Sequence, residues 1–115
     1  MIDLKIALLL MAIHFVGDFV LQSDRMAKEK STDWNQLAKH CWVYMIVLGL
    51  LTQTYYYAVF NAGIHFAVDA VTARINKRLW DAKQVHYFFV GVGFDQLIHV
   101  STLLITWRVM YATVP

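Results

Sequence analysis

VHYFFVGVGFDQLIHVSTLLITWRVMY, residues 85–111, contains no proline, and Asp95 and Arg108 are its ionised side chains. At about 1.5 Å per residue an α-helix of this length reaches roughly 40 Å, more than the ~30 Å hydrocarbon core of a bilayer. The segment therefore reads as a membrane-spanning helix. Asp95 and His99 lie inside it, four positions apart, so a helix places them on one face a turn from each other. Three further apolar segments precede it, Leu4–Gln22, Leu37–Tyr57 and Ala58–Ala73, the third of them short for a span. The connection SDRMAKEKSTDWNQLAKH, residues 23–40, predicts a short polar interfacial helix with a cap between Ser31 and Asp33 and with Met26 and Trp34 turned to lipid. Tyr55, Tyr56, Tyr57 and Asn61 are expected near a tight reversal between the second and third segments, and RINKRLWDAK, residues 74–83, as a loop. The expected fold is all-α: one domain over residues 1–115, an integral membrane bundle of four transmembrane helices with a polar interfacial helix between the first and second.

Composition agrees with that reading. Of 115 residues, 59% are apolar and 16% charged, with a mean hydropathy of +0.48, whereas soluble domains run nearer ~45–50% and ~25%. Disordered and fibrous chains are excluded. Cys41 is the single cysteine, which excludes an intrachain disulfide and any CxxC motif. The N-terminal segment carries His14 and Asp18 and lacks a small-x-small cleavage site, so it is expected to be a retained helix and not a signal peptide. Arg25, Lys28, Lys30 and Lys39 form one basic window, and Arg74, Lys77, Arg78 and Lys83 another. Asp24, Glu29, Asp33 and Asp81 are interspersed, so neither window is a nucleic-acid tail, and no nucleic-acid partner is expected. The positive-inside bias puts both basic loops in the cytoplasm. Tryptophans 34, 42, 80 and 107 lie near segment ends, where amphipathic rings anchor at headgroup level.

The polar residues inside the apolar segments point to function. His14 and Asp18, His65 and Asp69, and Asp95 and His99 are three His/Asp pairs at helical spacing, and His40 opens the second segment. An aspartate at the centre of a span costs roughly 2.5–3.5 kcal/mol on insertion scales, so these groups must face one another or a wet cavity. Counting about 1.5 Å per residue from segment ends near Ser23, Arg74 and Val85 places His14 and His65 about 13 Å deep and Asp18 and Asp69 about 7 Å deep. The same count puts Asp95 near about 15 Å and His99 near about 21 Å. A mixed cluster in the cytoplasmic half of the membrane is expected, with His40 near the Asp18 level.

Imidazole and carboxylate are the ligands of Zn²⁺, Mn²⁺ and Fe²⁺, and a divalent ion offsets buried negative charge. His14, Asp18, His40, His65, Asp69, Asp95 and His99 are the candidate ligands, zinc the expected metal, with manganese or iron as alternatives. Seven candidates exceed one four-ligand zinc site, leaving room for an open catalytic position or for two ions sharing a carboxylate. Whichever of Asp18, Asp69 and Asp95 is not a ligand would act as general base. Gln22 and Gln96 are candidates for orienting a ligand or substrate through their amides, while Tyr44, one turn beyond His40, reads first as a packing aromatic and second as a hydroxyl donor, and His86 as interfacial. Gly91 and Gly93 would let the fourth helix approach a neighbour closely. The same pairs also fit interhelical hydrogen bonding or a proton path.

The order HFVGDFVLQ (His14–Gln22), a basic stretch, LAKH (Leu37–His40), HFAVD (His65–Asp69) and FDQLIH (Phe94–His99) resembles the small bacterial and phage membrane proteins grouped as domain of unknown function 3307. The likeness covers nearly the whole chain and implies a prokaryotic or phage inner-membrane protein. In residue type the chain also resembles prophage-type membrane-bound metal-dependent hydrolases, which place His and Asp on apolar helices. The functional expectation is a metal-dependent hydrolase acting on a lipid or amphipathic phosphate or acyl substrate, with membrane lipids as partners and a homo-oligomer as an option. The alternative is a membrane module that conducts protons or ions, or that binds a host membrane protein.

Overall fold

A computed structural model describes residues 2–111, and among them every regular element is helical. Helix α1 (Leu4–Phe15) starts where Asp3 accepts the Lys5 amide at 2.7 Å and continues into one π-helical turn, Val16–Val20, closed by the Leu21 amide donating to the Val16 carbonyl at 2.9 Å. Helix α2 (Asp24–Glu29) begins with Ser23 capping the Met26 amide at 3.1 Å, and α3 (Trp34–Thr52) with Asp33 capping that of Asn35 at 2.9 Å. Such caps satisfy amides that the first helical turn leaves without partners. Helices α4 (Tyr55–Asp81) and α5 (Val85–Tyr111) are the two longest, at 27 residues each.

Two boundaries differ from the expectation. The second helix ends at Thr52, where Gln53 takes a left-handed conformation (φ 55°), so Tyr55, Tyr56 and Tyr57 open α4 instead of closing α3. The third runs on past Ala73 to Asp81, because loss of apolar character does not end a helix. Its polar last turns hold a Lys77–Asp81 pair at 2.7 Å and stop only where Lys83 (φ 60°) reverses the chain, with the Gln84 amide on the Leu79 carbonyl and that of Lys83 on Trp80. The shortness expected of the third segment therefore disappears. Trp42 sits midway along α3, exposed, instead of near an end.

Helix α3 packs against α1 and α4, and α5 packs against α4 and α1, closing a four-helix ring; α2 lies against α3. Among the described residues α5 is the one helix long and apolar enough to cross a membrane. The other three fall short for local reasons: α1 is interrupted after 12 residues, α3 opens on Trp34-Asn35-Gln36, and α4 carries His65, Asp69 and a charged last third. Leu10, Ile13, Leu48, Tyr57, Ala58 and Leu103 fill the interior at one end, where the Tyr57 hydroxyl donates to the Leu103 carbonyl at 2.7 Å. The other end is packed with polar side chains. His14, Asp18, His40, His65, Asp69, Asp95 and His99 are all buried, at 7% exposure or less, while Phe15, Phe19, Trp42, Phe60, Phe94 and Leu97 face outward.

Candidate metal centre

Each of the four long helical segments contributes to the polar end. The π turn of the first carries Asp18 and brings Gly17 so close to α3 that a Cβ there would stand 3.0 Å from the Tyr44 ring. Such turns widen a helix locally and recur at functional sites. Gly91 of α5 faces the Asn76 side chain of α4, whose amide would have to swing aside for a Cβ, whereas Gly93 faces open space.

Four ligand atoms converge between α1, α3 and α4. His40 Nε2 lies 2.9 Å from Asp18 Oδ1 and 3.1 Å from His65 Nε2, and His65 Nε2 lies 3.3 Å from Asp18 Oδ1. Asp69 Oδ2 is 3.5 Å from both imidazole nitrogens. The other oxygen of Asp69 faces α5: His99 Nε2 stands 3.5 Å from Asp69 Oδ1 and 3.1 Å from Asp95 Oδ1. Asp18, His40, His65 and Asp69 thus form a buried group able to hold a metal ion, and Asp69, Asp95 and His99 form another. The rings support one another, with His65 stacked between Tyr44 (centroids 4.3 Å apart) and His99 (4.0 Å). His99 meets Asp69 although the sequence count put them about 14 Å apart in depth. That count started at Arg74, and α4 ends at Asp81. From the true ends Asp69 and Asp95 come out about 18 and 15 Å deep.

His14 is adjacent to the centre with both ring nitrogens already engaged. The contacts fix its tautomer. The Tyr44 hydroxyl donates to Nδ1 at 2.8 Å, and Nε2–H donates to Gln96 Oε1 at 2.7 Å. Gln96 in turn donates from Nε2 to Asp18 Oδ2 at 2.9 Å and Asp95 Oδ2 at 3.2 Å. Gln96 therefore ties the outer oxygens of two aspartates to His14, leaving their Oδ1 atoms turned to the centre. Gln22 lies beyond the π turn, with its Oε1 buried and unpartnered beside the cavity described next.

A polar cavity of about 100 Å³ is lined by Asp18, Gln22, Asp69, Thr72, Asp95 and Gln96, with Lys30 at its edge. It adjoins a groove of about 460 Å³ at the basic end, and the two share Lys30, Ala73 and Asn76. Lys28 and Lys77 line that groove with Trp80, Phe88 and Phe89, and so does Asp81, paired with Lys77 at 2.7 Å.

Sequence reasoning missed two participants. Lys30 Nζ pairs with Asp69 Oδ2 at 3.1 Å, which no local pattern signals because it follows the end of α2 and reaches α4 only through the fold. The Thr72 hydroxyl donates to Asp95 Oδ1 at 2.5 Å, and its position three residues after Asp69, on the same helix face, was the available clue. Tyr44, one turn beyond His40, does act as the hydroxyl donor that its position allows, to His14, as well as packing.

No curated protein and no solved structure matches the chain. The likeness to prophage hydrolases thus stays one of residue type, and the chemistry must be argued from the site. The order of short motifs from His14 to His99 does identify the lineage: the chain belongs to the family described as Protein of unknown function (DUF3307), which matches residues 6–115.

Proposed function

We propose that the protein is an intramembrane metal-dependent hydrolase whose metal, zinc in the first instance, is held by Asp18, His40, His65 and Asp69. The observation that carries this reading is the shape of the ligand set. A tetrahedral zinc site with bonds of about 2.0–2.1 Å has ligand-to-ligand edges of about 3.3–3.4 Å. Five of the six edges here measure 2.9, 3.1, 3.3, 3.5 and 3.5 Å. Hydrogen bonding alone accounts for them poorly, since two imidazole nitrogens at 3.1 Å need one proton between them while both press on carboxylates. The charge balance points the same way. Asp18, Asp69 and Asp95 are buried together, and among the described residues Lys30 is the one lysine or arginine paired to them, so with neutral imidazoles around them a divalent ion would offset the remaining negative charge.

Membrane embedding is supported by the inverted distribution of polarity, with ionisable groups inside and large apolar side chains outside, and by the convergence of Lys28, Lys30 and Lys77 at one end. On this reading the first helix with its π turn, α3, α4 and α5 span a prokaryotic inner membrane, and the basic end is cytoplasmic. A bound divalent ion lowers the pKa of a water towards neutrality and polarises the scissile group. The chain's own contribution is to hold the aspartates through Gln96, to keep bulk water out of the cluster, and to gather an anionic headgroup in the lysine-lined groove. A lipid or amphipathic phosphate or acyl compound fits that groove, where cations and aromatic rings lie side by side.

The test is metal analysis by mass spectrometry of the full chain purified in detergent. A stoichiometric transition metal that is lost in His65→Ala and in Asp69→Asn is expected, together with chelator-sensitive release of phosphate or fatty acid from vesicles containing phosphatidic acid. Metal-free protein that conducts protons in liposomes, abolished by Asp95→Asn, would replace the hydrolase with a relay.

A further inference from the structure

We propose that the centre holds two divalent ions at once, with Asp69 bridging them and with Asp95 and His99 completing the second position. The inference rests on the metal reading above and adds to it the number of ions, the bridging ligand and the more open of the two positions.

Asp69 presents its oxygens to different partners. Oδ2 is 3.5 Å from His40 Nε2 and from His65 Nε2, while Oδ1 is 3.5 Å from His99 Nε2. A carboxylate used in this way sets two ions about 3.5–4 Å apart, the spacing of two-metal hydrolytic sites. His99 Nε2 is the second, independent observation. It is buried, its side chain 2% exposed, and it makes no hydrogen bond although Asp95 Oδ1 is 3.1 Å away. A buried nitrogen in that position is costly unless something lies between it and the carboxylates it faces.

The surrounding contacts treat Asp95 and Asp18 alike. Gln96 Nε2 holds the Oδ2 atom of each, so each turns Oδ1 inward, Asp18 towards His40 and His65 and Asp95 towards His99. Thr72 fixes the Asp95 carboxyl from the α4 side. Asp95 then serves as a ligand, and the expectation that one of the three aspartates stays free as a general base gives way.

The two positions differ in kind. The first has two nitrogens and two oxygens from the chain, so a water or substrate oxygen enters it only as a fifth ligand. The second has one nitrogen and two oxygens, one ligand fewer, and its Asp69 and Asp95 border the polar cavity that Asp18 of the first position also lines. Its oxygen-rich set suits Mn²⁺ as well as Zn²⁺. Substrate oxygen therefore reaches the second ion, while the first keeps Asp69 charged and oriented.

The experiment is equilibrium loading of chelator-stripped full-length protein in detergent with Mn²⁺ alone and with Zn²⁺ alone, followed by metal counting and, for Mn²⁺, electron paramagnetic resonance. Two equivalents per chain and a spin-coupled Mn²⁺ spectrum are expected. His99→Ala and the isosteric Asp95→Asn should each retain one equivalent and give the spectrum of an isolated ion. Circular dichroism identical to that of the parent protein shows that the variants fold. One equivalent in the parent, unchanged in Asp95→Asn, overturns the second position and leaves the first standing. No bound metal under any loading condition overturns both readings.

Discussion

Replacing Gln96 with leucine shortens the side chain by one atom, keeps a strong helix former in α5 and removes three hydrogen bonds, at 2.9 Å to Asp18 Oδ2, 3.2 Å to Asp95 Oδ2 and 2.7 Å from His14 Nε2. Gln96 does not belong to either ligand group, so both remain intact. What is lost is the restraint on two aspartates, each of which regains rotamer freedom of about 0.5–1.5 kcal/mol that metal binding must then remove. The sum, about 1–3 kcal/mol, agrees with the 10- to 100-fold loss of affinity typical when an outer partner of a metal ligand is removed. Competition against a chromogenic chelator should therefore show metal affinity reduced by about 10- to 100-fold, with the same number of ions bound at saturation. His14 sharpens the test. Its Nε2 stands 3.6 Å from Asp18 Oδ2 but makes its hydrogen bond to Gln96, so His14→Ala should lower affinity in the parent protein and add little in the Gln96→Leu background. Affinity within about three-fold of the parent in Gln96→Leu, or full additivity of the two substitutions, would refute the argument and return His14 to the ligand set.

Other consequences of the same geometry are open to measurement. On the two-ion proposal the ligands converge only in the folded bundle, so metal at 100 times its dissociation constant should add about 2.7 kcal/mol of stability. Chelation should thus lower the melting temperature in detergent, and an unchanged melting curve would count against any ion in the centre. Lys30 competes with a cation for Asp69 Oδ2 at 3.1 Å, so Lys30→Gln should raise metal affinity several-fold in the same competition assay; a fall would mean that Lys30 supports the ion instead. Gly17→Val drives a branched side chain against the Tyr44 ring, which is itself stacked on His65, and should cost about 1–3 kcal/mol with loss of metal, read by thermal melting and metal content. Gly93→Ala, with open space around it, should leave both readouts unchanged or raise stability by up to about 1 kcal/mol.

Much of the centre could be read from spacing. The i,i+4 pairs His14/Asp18, His65/Asp69 and Asp95/His99 do lie on buried helix faces, and His40 does meet Asp18. Boundaries were less legible. Hydropathy reports the surroundings of a side chain and not the state of its backbone, so the polar turns from Arg74 to Asp81 read as a loop although they continue α4, and Tyr55 to Tyr57 were assigned to the wrong side of the Gln53 reversal. The π turn at Asp18 had no sequence signature that periodicity would detect, since one widened turn leaves the apolar pattern nearly intact.

Local order along this chain was enough to say that three stripes of histidine and aspartate exist, because the 3.6-residue repeat acts within each helix regardless of its neighbours. It could not say that Asp69 would present one oxygen to His40 and His65 and the other to His99, that Lys30 would reach across to α4, or that Gln96 would join His14 to two aspartates. Those relations depend on which helices are adjacent and on how each is rotated about its axis. Both are decided by the packing of whole helix faces, including the close approach at Gly17, and no short stretch of sequence contains that information.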